Sequence, residues 1–351
     1  MNVSIPAVQP VDALWIERAE QHQRTLTKPP GSLGRLEEIV NRICAIQETL
    51  QPCVDNPTVL VFAADHGVCE EGVNPYPQSV TRQMLANFLA GGAAINAVSK
   101  AAGAKLLVVD MGVIGEPMDD PRLISRRVVA GSRNICREPA MSHDEALEAI
   151  AAGIDCAEQA ISTGSKLLVI GEMGIGNTTI ASAVCAALTG AEPSAVCGRG
   201  TGSDDAGLQR KRDAIARALT LHGPHVDSPL DLLARLGGLE IAAMCGVCLA
   251  AARNRCPVLM DGFISTTAAA IAVHMSPHVS DYLFAGHESP EPGHRVLLDH
   301  LALRPILQLD MRLGEGTGAA LAIPILKAAV EAFRSMATFA SAGVSSAKPE
   351  A

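Results

Sequence analysis

The chain has 351 residues, of which 48% are hydrophobic and 19% are charged, a balance that supplies a packed core and excludes a disordered chain. Only 3% are aromatic, so the core must consist mainly of Ala, Val, Ile and Leu, and RNA recognition by base stacking is disfavoured. The net charge of −9 argues against nucleic acid and against an anionic membrane surface as partners, but it permits a small anionic ligand.

Two helices are predicted at the start of the chain, at residues 11–24 and 33–50, because apolar residues recur there at helical spacing. Pro29 and Pro30 exclude a helix between them, and Ser32 is expected to cap the second helix. Residues 1–10 show no periodic pattern and are predicted to be a loose tail.

From residue 58 onward, short apolar runs alternate with helical stretches, a pattern that predicts an α/β fold with a parallel sheet flanked by helices on both faces. The predicted strands are residues 58–64, 105–111, 166–171, 257–261, a weaker 282–285 and a less clear 307–311. The predicted helices are residues 80–101, 143–162, 178–188, 206–221, 239–252, 266–274 and 316–333.

The helices at the two chain ends lie outside this alternating pattern. Residues 1–50 and 315–340 are therefore predicted to form a small helical subdomain beside an α/β domain of residues 51–314, and residues 341–351 are predicted to be a disordered tail.

The ten cysteines are scattered in apolar or helical surroundings, and no secretory signal is visible. This pattern is typical of a cytoplasmic protein with buried, reduced thiols. Cys245 and Cys248 lie inside an apolar helix with no second pair nearby, which favours a core position over a metal or redox site. The histidines form no metal-binding motif, and no apolar stretch is long enough to span a bilayer, so neither a metal, a cofactor nor a membrane is predicted.

Polar residues and glycines follow most of the predicted strands. Asp65 and His66 follow the first strand, Glu172 the third, Asp261 ends the fourth, and Ser289 comes shortly after the 282–285 strand. Because ligands of open parallel sheets bind beyond the carboxyl ends of the strands, an active site is expected at this edge.

The loop after the third strand carries Gly171, then four residues, then Gly176, Asn177 and Thr178. This spacing resembles a phosphate-binding P-loop in which Asn replaces the lysine. Backbone amides and a helix N-terminus here would suit one phosphate monoester better than a magnesium-bound triphosphate. A glycine-rich turn capped by Thr178, with no ligand, is the alternative interpretation.

A second glycine-rich segment, residues 198–204, also precedes a helix, and that helix carries Lys211. The two loops could hold one phosphate from two sides, with Lys211 supplying the positive charge. Arg210 and Arg212 on the same helix are more typical of a solvated face.

Glu315 lies between Gly314 and Gly316 at the start of the last helix. It could simply be an anion at a helix N-terminus. Alternatively, a partly desolvated carboxylate there could be a general base. The residues alone leave both interpretations open, and Glu172 could likewise only orient backbone amides.

Five segments together resemble the nicotinate-nucleotide–dimethylbenzimidazole phosphoribosyltransferase family. They are the sequences KPPGSLGRLE at 28–37, ADHGV at 64–68, GEMGIGNTT at 171–179, LMDGF at 259–263 and MRLGEGTGAALA at 311–322. The resemblance implies transfer of 5-phosphoribose from nicotinate mononucleotide to 5,6-dimethylbenzimidazole, which gives α-ribazole 5′-phosphate and nicotinate for cobalamin. It also implies a Rossmann-like large domain, a small helical domain and a homodimer.

The resemblance further implies roles for individual residues. Glu315 would be the general base. The nicotinate nucleotide and its phosphate would be held by Glu172, Gly174, Gly176, Asn177, Thr178, Gly200, Gly202, Lys211 and Ser289. The base pocket would be lined by Tyr76, Met84, Leu313 and Gly314. Tyr76 and Met84 stand where the family typically has Ser and Gln, so another benzimidazole, a purine or a phenolic base is also considered as acceptor.

Two other functions remain as alternatives at this point. One is a nicotinamide-dependent oxidoreductase, against which the missing dinucleotide fingerprint counts. The other is a non-catalytic nucleotide-binding module, which would bind nicotinate mononucleotide without releasing nicotinate.

Overall fold

Six parallel strands form the sheet at the centre of the computed structural model, which describes residues 7–200 and 202–345. They are β1 (Thr58–Ala64), β2 (Lys105–Gly112), β3 (Leu123–Ser125), β4 (Leu168–Met173), β5 (Val258–Met260) and β6 (Leu283–Ala285). Their order in the sheet is β3-β2-β1-β4-β5-β6. The predicted α/β fold with a parallel sheet is confirmed.

The strand order reverses beside β1. β1 pairs with β2 on one side and with β4 on the other, so the chain turns from one half of the sheet to the other at this point. All seven residues of β1 are buried, as expected for a strand covered by helices on both faces. A crevice opens at the carboxyl edge of the sheet, beyond the ends of β4, β5 and β6, and ligands of such sheets bind beyond the carboxyl ends of their strands.

Helices cover the sheet and extend beyond it. In the described part of the chain they are α1 (Ala13–Thr25), α2 (Arg35–Gln47), α3 (Ser79–Ala90), α4 (Ala94–Ala102), α5 (His143–Ser162), α6 (Asn177–Thr189), α7 (Pro193–Val196), α8 (Asp205–His222), α9 (Pro229–Leu236), α10 (Leu239–Arg253), α11 (Phe263–Met275), α12 (Pro292–His300), α13 (Thr317–Ser335) and α14 (Phe339–Ala342). No helix among these residues is both long and apolar enough to cross a bilayer.

Several predicted elements differ from the structure. The predicted strand at 307–311 is wrong, because only Leu307 pairs there, through an isolated bridge to His287. β3 was not predicted. The single helix predicted at 80–101 is two helices, α3 and α4, because Gly91 ends α3 in the left-handed conformation with φ +79°. The predicted Ser32 cap is also wrong: α2 follows Gly34, and the Ser32 amide donates to the Pro29 carbonyl within a turn.

Three further helices, α7, α9 and α12, were not predicted from the sequence. Each begins with a proline at its first or second position, where the missing N–H costs no helical hydrogen bond. Proline therefore marks the start of these helices rather than a break.

The two chain ends meet. α1 packs on α2, which packs on α13, and the Thr27 amide donates to the Ala337 carbonyl at 2.9 Å. α13 also packs on α4 and on the ends of β4 and β5. The domain limits at residues 50 and 314 stay a prediction. The predicted disordered tail at 341–351 overlaps the end of α14, while residues 346–351, like residues 1–6 of the predicted loose tail, lie outside the described residues.

A candidate active site at the carboxyl edge of the sheet

A cleft with an accessible volume of about 80 Å³ opens at the carboxyl edge of the sheet. Eight of the predicted site residues line it: Glu172, Gly174, Asn177, Thr178, Gly200, Ser289, Leu313 and Gly314. Other residues that line it include Asn74, Asp261, Phe263, Ile264, His287, Glu291 and Arg312. The cleft is therefore built from segments that are distant in the sequence.

The glycine-rich loop after β4 forms one wall of the cleft. Gly176 has φ +96° and directly precedes α6, so Asn177 and Thr178 are the first residues of that helix, as predicted. Gly174 packs against the end of β1, where a Cβ atom would lie 2.6 Å from the Ala64 carbonyl oxygen. The amide of Ile175 donates to Thr81 Oγ1 at 3.1 Å, which ties the loop to α3.

The second glycine-rich segment meets this loop at Lys211. The Lys211 side chain is only 1% exposed, and its Nζ donates to Thr178 Oγ1 at 2.9 Å and to the Gly198 carbonyl at 3.3 Å. A Cβ atom on Gly200 would lie 3.0 Å from both Lys211 Nζ and Thr178 Oγ1. Burial lowers the pKa of Lys211, although Cys197 and Glu291 oppose that effect. Gly202, by contrast, faces open space.

Glu315 is held in an unusual backbone conformation behind the rim of the cleft. It is 5% exposed, and with φ +64° it stands between Gly314 at +85° and Gly316 at +90°. Its backbone packs directly on Gly171, where a Cβ atom would lie 2.5 Å from the Glu315 carbonyl oxygen. A non-glycine residue held at positive φ is strained, and such strain is often found at functional sites.

Asp261 occupies the N-terminus of α13 in place of Glu315. Its two carboxylate oxygens accept from the amides of Gly316 at 3.1 Å and Ala319 at 3.0 Å. The Glu315 side chain instead accepts from the Ile95 amide at 3.4 Å. Glu315 is therefore not the anion at the start of α13. Its carboxylate lies instead at the N-terminus of α4, whose second residue is Ile95, and its role as a general base stays a prediction.

Two buried glutamates of the site have raised pKa values. Burial raises the pKa of Glu172 to about 8, and the neighbouring charges of Asp261, Glu240 and Glu315 add to the effect. Burial also raises the pKa of Glu315, against the hydrogen bond from Ile95. Glu172 therefore keeps its proton at neutral pH, while its side chain accepts a hydrogen bond from Asn177 Nδ2.

Two residues of the predicted base pocket lie away from the cleft wall. Tyr76 is 50% exposed and lies in a neighbouring surface depression together with Asn74. Met84 lies on α3, partly buried against the core. Leu313, 52% exposed, lies at the rim of the cleft itself. Contact of Tyr76 and Met84 with a base stays a prediction.

The sequence reasoning missed several polar residues of the cleft. His287 and Glu291 flank Ser289, and His287 Nε2 lies 3.4 Å from Asp261 Oδ1. The Ser289 amide donates to Nδ1 of His294 at 2.9 Å, and burial lowers the pKa of His294 to about 3, so this ring is neutral. His287 and Glu291 come shortly after β6 in the sequence, and this position at the carboxyl edge of the sheet could have indicated that they belong to the site. No three His, Cys, Asp or Glu side chains within residues 7–200 and 202–345 are grouped so as to hold a metal ion.

Known proteins resemble this chain over nearly its whole length. A phosphoribosyltransferase family model matches residues 8–344. The nicotinate-nucleotide–dimethylbenzimidazole phosphoribosyltransferase of Chloroflexus aurantiacus is 52% identical over 342 residues, 97% of each chain, and that of Desulforudis audaxviator is 49% identical over 345 residues, 98% of each chain. The crystal structure of CobT from Thermus thermophilus superposes with a TM-score of 0.92 at 49% identity, over 95% of this chain and 100% of that one. Because the match extends over the whole cleft as well as the fold, the chain belongs to the nicotinate-nucleotide–dimethylbenzimidazole phosphoribosyltransferase family.

Proposed function

We propose that this chain transfers 5-phosphoribose from nicotinate mononucleotide to 5,6-dimethylbenzimidazole or a related base. The products are α-ribazole 5′-phosphate, which serves the nucleotide loop of cobalamin, and nicotinate. Membership of the family supports this assignment. The structural observation that carries it is a cleft with two buried charged residues just behind its wall: Glu315, which follows Gly314 of the lining, and Lys211, whose ammonium lies against Gly200 of the lining.

The reaction requires one proton acceptor and one anchored substrate. The acceptor base attacks C1′ through one ring nitrogen, and the C1′–N bond to nicotinate breaks with its electron pair passing to the pyridine nitrogen. This leaving group starts as a cationic pyridinium, so it needs no acid. The attacking ring loses the proton of its other nitrogen, and Glu315 takes that proton. Attack on the face opposite to nicotinate converts the β-glycoside to the α-glycoside.

The different environments of Glu172 and Glu315 support Glu315 as the base. Glu172, with a pKa of about 8, is protonated at neutral pH and cannot accept a further proton. Glu315 is buried enough to be a stronger base than an exposed glutamate, since its pKa is raised by desolvation.

The phosphate end of the cleft positions the ribose. Lys211 Nζ and Thr178 Oγ1 lie together against Gly200, and an ammonium and a hydroxyl are both donors suited to a phosphate group. Holding the ribose in this way converts the transfer into a reaction between positioned partners.

We further propose a homodimer, a cytoplasmic location and no nucleic-acid partner. Leu309, Leu313 and Leu321 are exposed, and exposed apolar side chains of this kind would suit contact with a second copy of the chain. All ten cysteines are free thiols, which supports a reducing compartment. The net charge of −9 is unfavourable for binding a polyanion.

The test is to mix the protein with nicotinate mononucleotide and dimethylbenzimidazole and to measure nicotinate and α-ribazole 5′-phosphate. Glu315→Gln should still bind the nucleotide but lose at least about 10²-fold in kcat, the lower range for general base catalysis. Glu288→Gln is the matched control, because Glu288 faces Arg295 outside the cleft. Near-normal turnover of Glu315→Gln would refute the assignment of the base, and no nicotinate release by the unaltered protein would leave only a nucleotide-binding module.

A further inference from the structure

Glu291 places a carboxylate inside the cleft, at the N-terminus of α12. The side chain belongs to a residue that is only 9% exposed. Its Oε1 accepts the amide of Gly200 at 2.9 Å, and its Oε2 has no hydrogen-bond partner among the described residues. A buried carboxylate oxygen without a donor is costly, so this arrangement calls for an explanation.

The Gly200 amide that Glu291 occupies belongs to the anion-binding corner of the cleft. Gly200 lies against both Lys211 Nζ and Thr178 Oγ1. A carboxylate oxygen and a phosphate oxygen seek the same donors, and both gain from a nearby ammonium. The carboxylate also needs a glycine beside it, since a Cβ atom on Gly198 would lie 2.1 Å from Oε2.

We propose that Glu291 is a resident anion, which holds the Gly200 amide in the ligand-free cleft and which a phosphate group displaces when it binds. This inference rests on the phosphate position in the proposed function. It makes Glu291 a specificity-determining residue: an entering anion must compete with a carboxylate that is already attached.

The charges around Glu291 make the displacement dependent on its proton. The titratable and charged groups that face it are Lys211 on α8, Arg312 before α13 and Cys197 after α7. Burial raises the pKa of Glu291, while Lys211 and the Gly200 amide lower it. An ionised Glu291 repels a phosphate dianion, whereas a protonated one releases the amide and can donate a hydrogen bond to the phosphate. Phosphate binding should therefore be accompanied by uptake of about one proton.

Calorimetric titration with inorganic phosphate and, separately, with nicotinate mononucleotide tests this inference. Glu291→Gln keeps the shape and removes the charge, so at about pH 8 it should bind phosphate at least about tenfold more tightly than the unaltered protein. This ratio of the phosphate affinities of the two proteins should shrink towards acid pH, where Glu291 is protonated. Because phosphate itself titrates in this range, at about pH 6 for a phosphomonoester, the ratio of affinities between the two proteins is the informative quantity. Glu288→Gln should leave both affinities unchanged.

Proton uptake on binding provides a second test. Titrations at about pH 8 in buffers of different ionisation enthalpy should show more protons taken up per phosphate by the unaltered protein than by Glu291→Gln, because the phosphate contributes equally in both proteins. Equal or weaker phosphate binding by Glu291→Gln, or equal proton uptake by the two proteins, would overturn the inference. Tighter phosphate binding by Glu291→Gln without any binding of nicotinate mononucleotide would support the resident anion and contradict the proposed function instead.

Discussion

His66 and Glu240 form an ion pair inside the protein, with Nε2 2.9 Å from Oε1 and both side chains fully buried. The imidazole lies directly beneath the glycine-rich loop after β4, since a Cβ atom on Gly174 would lie 3.0 Å from Nε2. Burial lowers the pKa of His66, but the charge and hydrogen bond of Glu240 outweigh it, so the pKa is raised. The charged pair therefore supports the floor of the candidate site.

Breaking this pair should strongly destabilise the protein. Glu240→Gln should lower the free energy of unfolding by about 3–5 kcal/mol, because it leaves a buried group without its partner. Denaturant titration measures this, with Glu158→Gln as the control, since Glu158 pairs with Arg253 on the surface and should cost about 0–1 kcal/mol. The stability that the pair supplies is present below the unfolded histidine pKa of about 6.5 and is lost as pH rises through the raised folded pKa. Equal losses in the two variants would contradict this account.

A methyl group on Gly171 should displace the proposed base. The Cβ atom of Gly171→Ala would collide with the Glu315 backbone, which cannot rotate away like a side chain. We expect a loss of about 1–3 kcal/mol in stability and, because a shift of about 1 Å can cost 10²-fold in rate, a fall in kcat of at least about tenfold. Full activity in folded Gly171→Ala would show that the position of Glu315 tolerates this shift.

The activity should have a bell-shaped dependence on pH. Below its raised pKa, Glu315 is protonated and cannot act as the base, so the acid limb should lie above the ordinary glutamate value of about 4.3. Above about pH 8, Glu172 ionises, and its charge should repel the anionic nucleotide and raise KM. Initial rates of Glu172→Gln over the same range should lack the alkaline limb. An unchanged alkaline limb in that variant would assign it to another group.

Lys211 should contribute to binding rather than to the chemical step. Lys211→Met removes the ammonium that faces Thr178 and Gly200, so KM for nicotinate mononucleotide should rise about ten- to hundredfold, as expected for a lost hydrogen bond to a charged group. Arg210→Met is the matched control on the same helix, since Arg210 is exposed and donates to the Gly72 carbonyl. Similar KM values for the two variants would place the phosphate elsewhere.

The exposed positions of two side chains predict different effects on base selection. Tyr76→Ser should change kcat/KM for dimethylbenzimidazole, adenine and phenol by less than about threefold, because Tyr76 lies outside the cleft. Leu313→Ser should lower kcat/KM for the apolar base dimethylbenzimidazole more than for adenine or phenol, because Leu313 lines the cleft. A large shift of preference in Tyr76→Ser would place Tyr76 in the base pocket after all.

Much of the fold was readable from local patterns. β1 was predicted at its observed limits, since a buried parallel strand is a continuous apolar run. β3 has only three residues and offers too short a pattern. The prediction at 307–311 failed because alternating apolar residues occur there without a neighbouring strand to pair with along their length.

The parts of the site that lie in one continuous motif could be predicted from the sequence. Gly176, Asn177 and Thr178 stand together at a strand-to-helix turn, and the helix begins there as expected. Glu291 was not predicted as a site residue, because the contact that indicates its role is the hydrogen bond from Gly200, 91 residues earlier in the chain. Glu240 likewise stands alone at the start of an apolar helix, and only folding brings it to His66.

The sequence by itself determined the parallel α/β architecture, the family and the loops that carry glycine and charge. Those features depend on local periodicity and on contiguous residues. Only the tertiary structure decided that Asp261 rather than Glu315 holds the N-terminus of α13, that Tyr76 lies outside the cleft, and that Glu291 accepts the Gly200 amide. These outcomes depend on which distant segments share a desolvated space, because burial and neighbouring charge determine what a carboxylate can do.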